Sequence, residues 1–170
     1  RAELDPRIRV VRNDVNRGHG PSVRRAIDAS DGRWVFHIDS DGQVDLDEFG
    51  MLWSARDGYD LLLGIRAVRH DPLHRLVLTR FTRVVCSVLA LGWVRDANVP
   101  FKLFRRDLFD HLAPSMPPDT FAPSLLVVIG AHRAKARIAE FEITHLARAH
   151  GRSTLRLGRL ARAAALACGQ

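Results

Sequence analysis

Cysteine is nearly absent: Cys86 and Cys168 are the only two in 170 residues, and they form no motif. They suit a reducing compartment and a fold without disulfides. Lysine is as scarce, since Lys102 and Lys135 are the only basic residues among 26 that are not arginine. No stretch of about 18 apolar residues is free of charge, which excludes a transmembrane helix within these residues. A signal-peptide pattern is missing, as is an initiator methionine, and Arg1 begins in mid-pattern, so the chain reads as a piece of something longer. Repeats and low-complexity segments are absent too. A single tyrosine, three tryptophans and no nucleic-acid motif count against a module that binds nucleic acid.

What is present is 46% hydrophobic content, enough for one sizeable core and one domain. The formal net charge is +7 and the pI is about 10.8. Arginine in this excess suits phosphate groups on a nucleotide or lipid, or else forms a basic solvated surface.

Strand and helix signals alternate along the first part of the chain. Ile8 to Val11 is a strand candidate, and residues 13 to 21 are a turn-rich loop containing Gly18 and Gly20. Pro21 opens a helix that runs to about Ala29 and ends at Asp31-Gly32. Trp34 to Ile38 is a β-rich run, Asp45 to Ala55 a helix with acids in its first turn, and Asp60 to Ile65 another strand. This alternation predicts an α/β sheet with parallel crossovers. Leu73 to Leu91 has apolar residues at roughly helical spacing, with Arg75, Arg80 and Arg83 on its polar face. It reads as a helix packed on the sheet with arginines in water, or as a surface helix meeting phosphate headgroups. Phe101 to Phe104 is a short strand, Thr120 to Ala131 a buried helix and Ala136 to His145 a strand. Thr154 to Ala167 is an amphipathic helix rich in arginine and alanine.

The stretch HIDSDGQVDLDEF, residues 37 to 49, concentrates five acids behind an apolar run. A calcium loop of the EF-hand type needs glycine at its sixth position and a closing Glu at its twelfth. Counted from Asp39, those positions hold Val44 and Gly50, so the loop does not fit. In an open α/β sheet, ligands gather beyond the carboxyl ends of strands, where Asp39 and Asp41 would stand. Two carboxylates at i and i+2, with Gln43 as a neutral oxygen, suit a magnesium or manganese ion whose shell a diphosphate completes. A polar turn whose acids cap the next helix is the other reading.

Asn16-Arg17-Gly18-His19-Gly20, followed about twenty residues later by Asp39-Ser40-Asp41-Gly42-Gln43, resembles glycosyltransferase family 2. The likeness is greatest to its polyprenyl-phosphate branch, the dolichol-phosphate mannose synthase type. Two further blocks agree: Asp96 to Arg106, and His145 to Ser153 preceded by Glu140. Pro100 stands where the family has glycine, and Lys102 where it has arginine. The family's opening strand and its Asp-Asp-Gly-Ser strand have no counterpart.

The resemblance implies a GT-A fold, a Rossmann-like three-layer αβα sandwich incomplete at the N-terminus. The catalytic domain would span residues 1 to 153, with an amphipathic helix over 154 to 170 that would lie at a membrane interface. The implied activity is inverting transfer of a hexose from a nucleoside-diphosphate sugar to a polyprenyl phosphate, dependent on Mg2+ or Mn2+. The alternative is transfer to a sugar hydroxyl in polysaccharide or cell-wall synthesis. Asp39, Asp41 and Gln43 would hold the metal, and Asn16, Gly18 and Gly20 would approach the nucleotide together with the two aspartates. Asp96 occupies the position of the catalytic base in relatives with hydroxyl acceptors. Lys102, Arg105, Arg106, Arg148 and Ser153 would bind acceptor or diphosphate, although strand alternation keeps the first three from reaching one phosphate together. The expected location is the cytoplasmic face of a membrane.

Overall fold

The computed structural model describes residues 5–40, 42–66, 83–96, 99, 101–120 and 122–144. Asp41, Arg75, Arg80, Pro100, Arg148, Ser153 and the helix expected over 154–167 lie outside the described residues.

Four strands form one mixed sheet: β1 (Trp34–Ile38), β2 (Leu61–Arg66), β3 (Phe101–Arg105) and β4 (Ile138–Ile143). Their order is β1-β3-β2-β4. β3 runs antiparallel to both β1 and β2, while β2 and β4 are parallel. The expectation of parallel crossovers therefore holds for β2 and β4 and fails for β3. β1, β2 and β4 nonetheless share one direction, so their carboxyl ends lie along one edge of the sheet, beside the amino end of β3.

The helices are α1 (His19–Asp28), α2 (Phe49–Ala55), α3 (83–90), α4 (Arg106–Leu112) and α5 (Pro123–Arg133). Register places Trp34, Phe36 and Ile38 of β1 opposite Arg105, Leu103 and Phe101 of β3, which puts these six on one face. α2 covers that face: the Phe49 ring lies 4.7 Å from Phe36, which meets Phe101 edge-on at 4.8 Å. The other face carries Val35, His37, Lys102 and Phe104. There Phe104 meets Phe109 of α4 at 6.0 Å, and Arg24 of α1 lies over the Phe109 ring at 5.2 Å. α5 packs against both α1 and α4. Helices thus cover both faces, and β3 is buried from Phe101 through Phe104.

Two expectations change. Ile8 to Val11 is not a strand; Ile8 and Val10 are about half exposed, and no described strand pairs with them. α1 begins at His19 rather than Pro21, because Gly18 takes φ +83° as its N-cap and turns the chain into the helix two residues earlier. Among the described residues no helix is long and apolar enough to cross a membrane.

Candidate functional site

Four side chains, His37, Asp39, Asp96 and Lys102, and the start of α1 meet at the edge formed by the carboxyl end of β1 and the amino end of β3. Alternation along β1 sends His37 and then Asp39 to the α1 and α5 side, with His37 Nε2 4.0 Å from the Asp39 carboxylate. Lys102 is the direct cross-strand partner of His37. It is fully buried, the one charged side chain so buried among the described residues. Its Nζ donates to the Ser124 carbonyl in the first turn of α5, 2.9 Å away. Burial pushes its pKa down to about 7, opposed in part by the charges of Asp96 and Asp39. His37 is pushed down to about 4, first by burial and then by the charges of Lys102 and His19. At neutral pH the imidazole is therefore uncharged, and its contact with Asp39 is polar rather than ionic.

The influence of His19 on His37 brings the start of α1 into the same site. That start is built by the preceding loop. The Asn16 side chain accepts from the Gly18 N–H at 2.9 Å, and Ser22 Oγ donates to the Gly18 carbonyl at 2.6 Å. Asn13 donates to Ser22 Oγ at 2.8 Å and accepts from Arg25 at 3.0 Å. A Cβ at Gly18 would meet nothing within 4 Å, so the glycine serves backbone conformation, not clearance. Gly20 is buried within the first turn.

Asp96 is half-buried. Its charge raises the pKa values of Lys102 and of the buried Cys86, whose thiol is lifted mainly by burial to about 11. Cys86 is therefore a core side chain, unreactive at neutral pH. Arg95, next to Asp96, lies 3.5 Å from Glu140 and 3.6 Å from Glu142. These pairs tie the Asp96 loop to β4. Glu48 accepts from the Thr144 N–H with both carboxylate oxygens, at 2.9 and 3.0 Å, which fastens the turn after the acid stretch to the end of β4.

The described carboxylate and amide oxygens of this edge, Asp39 and Gln43, are hard donors of the type that magnesium and manganese take. Among the described residues no group of three or more His, Cys, Asp and Glu could hold a metal ion. A closed protein cage is thus not formed by them. A shell shared with a diphosphate suits the partly exposed Asp39 and the open space at Gly42.

Arg105 and Arg106 are not part of this cluster. Trp34 pairs with Arg105 at one end of β1 and Ile38 with Phe101 at the other, so the arginines stand at the opposite edge. Arg105 is held by Asp107 at 3.0 Å and joins Asp60 and Arg137 around an open groove of about 590 Å³. Arg106 donates to the Ile27 carbonyl at 2.8 Å and to Ser30, closing the carboxyl end of α1. Lys102 faces inward instead of toward solvent. The strand alternation expected of these residues is observed; a shared acceptor-phosphate contact is not what the geometry forms.

The sequence reading gave His37, His19 and Glu48 no role of their own, although they stand in the quoted loop and acid stretch, and it did not single out Arg95. The spacing of His37, two residues before Asp39 on a strand, was the available signal.

The sequence model of Glycosyl transferase family 2 matches residues 1–113. The glycosyltransferase AglD of Haloferax volcanii is 28% identical over 148 residues, which is 84% of this chain and 24% of that protein. The dolichyl-phosphate beta-glucosyltransferase of Dictyostelium discoideum is 22% identical, over 80% of this chain and 45% of its own length. The undecaprenyl-phosphate 4-deoxy-4-formamido-L-arabinose transferase of Yersinia pestis is 25% identical, over 94% of this chain and 48% of its own. The chain spans between a quarter and a half of the length of these relatives.

Proposed function

The chain belongs to glycosyl transferase family 2, and from that premise we propose that it is the sugar-transfer region of a polyprenyl-phosphate glycosyltransferase. Two of the relatives named above act, by their names, on dolichyl or undecaprenyl phosphate. The observation that carries the reading is the gathering of Asp39, Asp96, Lys102 and the start of α1 at one edge of the sheet.

In this reading the sugar donor is a nucleoside diphosphate whose charged bridge lies between the α1 turn and the carboxylates. Asp39 and Gln43, with Asp41 outside the described residues, would hold Mg2+ or Mn2+. The ion supplies neutralisation of charge on the departing diphosphate. The Asn16–Gly20 loop leads into the start of α1, which has no side-chain cap and whose first-turn N–H groups favour an anion. Lys102, buried beside Asp39 and Asp96, orients the carboxylates and joins them to α5 through Ser124. A phosphate acceptor is already anionic and needs no proton removed, so Asp96 positions groups instead of acting as a base. One displacement at the anomeric carbon inverts it. The site works at the cytoplasmic face of a membrane, where the acceptor's phosphate is accessible.

The test incubates the protein in detergent with a panel of sugar nucleotides, manganese or magnesium, and polyprenyl phosphate, and reads the lipid extract by mass spectrometry. A new lipid-phosphate hexose is expected, reduced about a hundredfold in Asp39→Asn and only modestly in Asp96→Asn. Nucleotide consumed without any lipid product, together with abolition of turnover in Asp96→Asn, would transfer the assignment to a hydroxyl acceptor.

A further inference from the structure

The groove at the far edge of the sheet has no part in the proposed transfer. It lies where the amino ends of β2 and β4 meet the carboxyl end of β3, opposite the edge that carries Asp39. Backbone hydrogen bonds fix its walls. The Arg105 N–H donates to the Asp60 carbonyl at 3.0 Å, and the Asp60 N–H donates to the Arg137 carbonyl at 2.8 Å. Its volume of about 590 Å³ is that of a small-molecule site.

Two carboxylates and two arginines line it in pairs. The Asp60 carboxylate accepts from Arg137 Nε and Nη2 at 3.1 and 2.9 Å, and from the Arg137 N–H at 2.9 Å. The Asp107 carboxylate accepts from Arg105 Nε and Nη2 at 3.0 to 3.2 Å, and from the Leu108 N–H. These bonds hold both carboxyls below their ordinary pKa, so the acids are ionised and their charge is answered. The pairing orients the guanidinium groups without exhausting them. Each has five N–H donors, and Nη1 of Arg105 and of Arg137 makes no hydrogen bond among the described residues.

Lys135 supplies charge that the groove does not balance. Three cations, Arg105, Lys135 and Arg137, line it against the two carboxylates, before His111 is counted. The lysine is also held at a conformational cost. It follows α5 with φ +54°, the left-handed position that glycine normally takes at a helix end. The turn is closed on both sides: the Lys135 N–H donates to the His132 carbonyl at 3.0 Å, and the Ala136 N–H to the Ala131 carbonyl at 2.9 Å. Glycine would make this turn without steric cost, whereas lysine places an amine at the groove. Backbone strain kept beside a cavity points to a ligand there.

We propose that the groove binds a small anion carrying a diphosphate, clasped by Lys135 and the uncommitted Nη1 groups of Arg105 and Arg137. A planar guanidinium matches two oxygens of one phosphate, and the ammonium answers as a point charge. Two linked phosphates let one ligand reach donors on β3 and donors in the segment after α5. None of these residues belongs to the edge assigned to sugar transfer, so the two sites stand or fall separately.

The test titrates inorganic pyrophosphate into isotope-labelled protein, with a chelator present and ionic strength held constant by chloride, and follows backbone amide resonances. Saturable shifts are expected at Leu108, Lys135 and Arg137. Lys135→Gly is expected to weaken binding about tenfold without lowering the thermal midpoint, because glycine suits the left-handed turn. Lys135→Arg, which keeps the charge, should restore most of the affinity. Shifts that never saturate, or Lys135→Gly binding as tightly as the parent, would overturn the proposal. So would shifts confined to His19 and Gly20, which give the anion to the start of α1. An oligoglutamate peptide that binds more tightly than pyrophosphate also overturns it, since the groove then serves an acidic protein segment. A nucleoside diphosphate bound more tightly than pyrophosphate supports the proposal with a nucleotide as the source; equal binding supports it with the free inorganic anion.

Discussion

Lys102 concentrates the physical cost of the site in one side chain. The unfolded chain keeps a proton on this amine up to its ordinary 10.5, whereas the folded protein keeps it only to about 7. Between those values the unfolded state binds more protons, so stability rises with pH, by at most about 1.4 kcal/mol per unit for one group. Lys102→Met should remove that rise, and denaturant titrations of parent and variant between pH 7 and 10 measure the difference. His37 acts at lower pH with the same sign. It is neutral when folded down to about 4 against 6.5 when unfolded, so its contribution is lost as pH falls through that window. His37→Phe should flatten the acid side of the stability profile, read as the thermal midpoint across that range.

At the scale of elements, β2 is the strand that admits least change. Gly64 lies between β3 and β4, and a Cβ there would stand 2.6 Å from a Phe101 ring carbon and 3.0 Å from two Ile143 methyl groups. Both neighbours are buried, so neither has room to withdraw. Gly64→Ala is expected to destabilise the protein by about 1–3 kcal/mol through overpacking, measured by urea unfolding. Gly18→Ala has a different cause and a smaller effect. Space is open there, and the cost of about 1 kcal/mol comes from forcing a side chain into φ +83° at the start of α1. If the α1 turn serves the nucleotide diphosphate, this variant should also raise the KM for the donor more than it lowers kcat.

At the scale of the molecule, one hydrophobic cluster joins every described strand and helix, from Ile27 of α1 through Leu52 of α2 and Cys86 of α3 to Ile143 of β4. A single shared core predicts that far-ultraviolet circular dichroism and tryptophan fluorescence trace one coincident urea transition. Separated transitions would mean that the β4 and α5 region, beyond the stretch matched by the family, unfolds by itself.

Local chemistry made much of this readable in the chain. Runs of β-branched, aromatic and other apolar residues marked Trp34–Ile38 and Phe101 to Phe104 as strands, and the family resemblance drew attention to Asp39 and Asp96. A glycine between polar residues marked the turn at Gly18. Strand order and direction were not readable, because the antiparallel insertion of β3 depends on which strands find one another across more than sixty residues. That pairing decides that Lys102 sits beside His37 and is buried, while Arg105, three residues along the same strand, is carried to the far edge. It also decides which side of α3 faces the core, since spacing alone defines an apolar face without saying what lies against it. Sequence by itself determined the elements and the chemical groups available to the site. Tertiary structure decided which of those groups meet, because burial and charge proximity are set by the partner across the sheet and not by the neighbour along the chain.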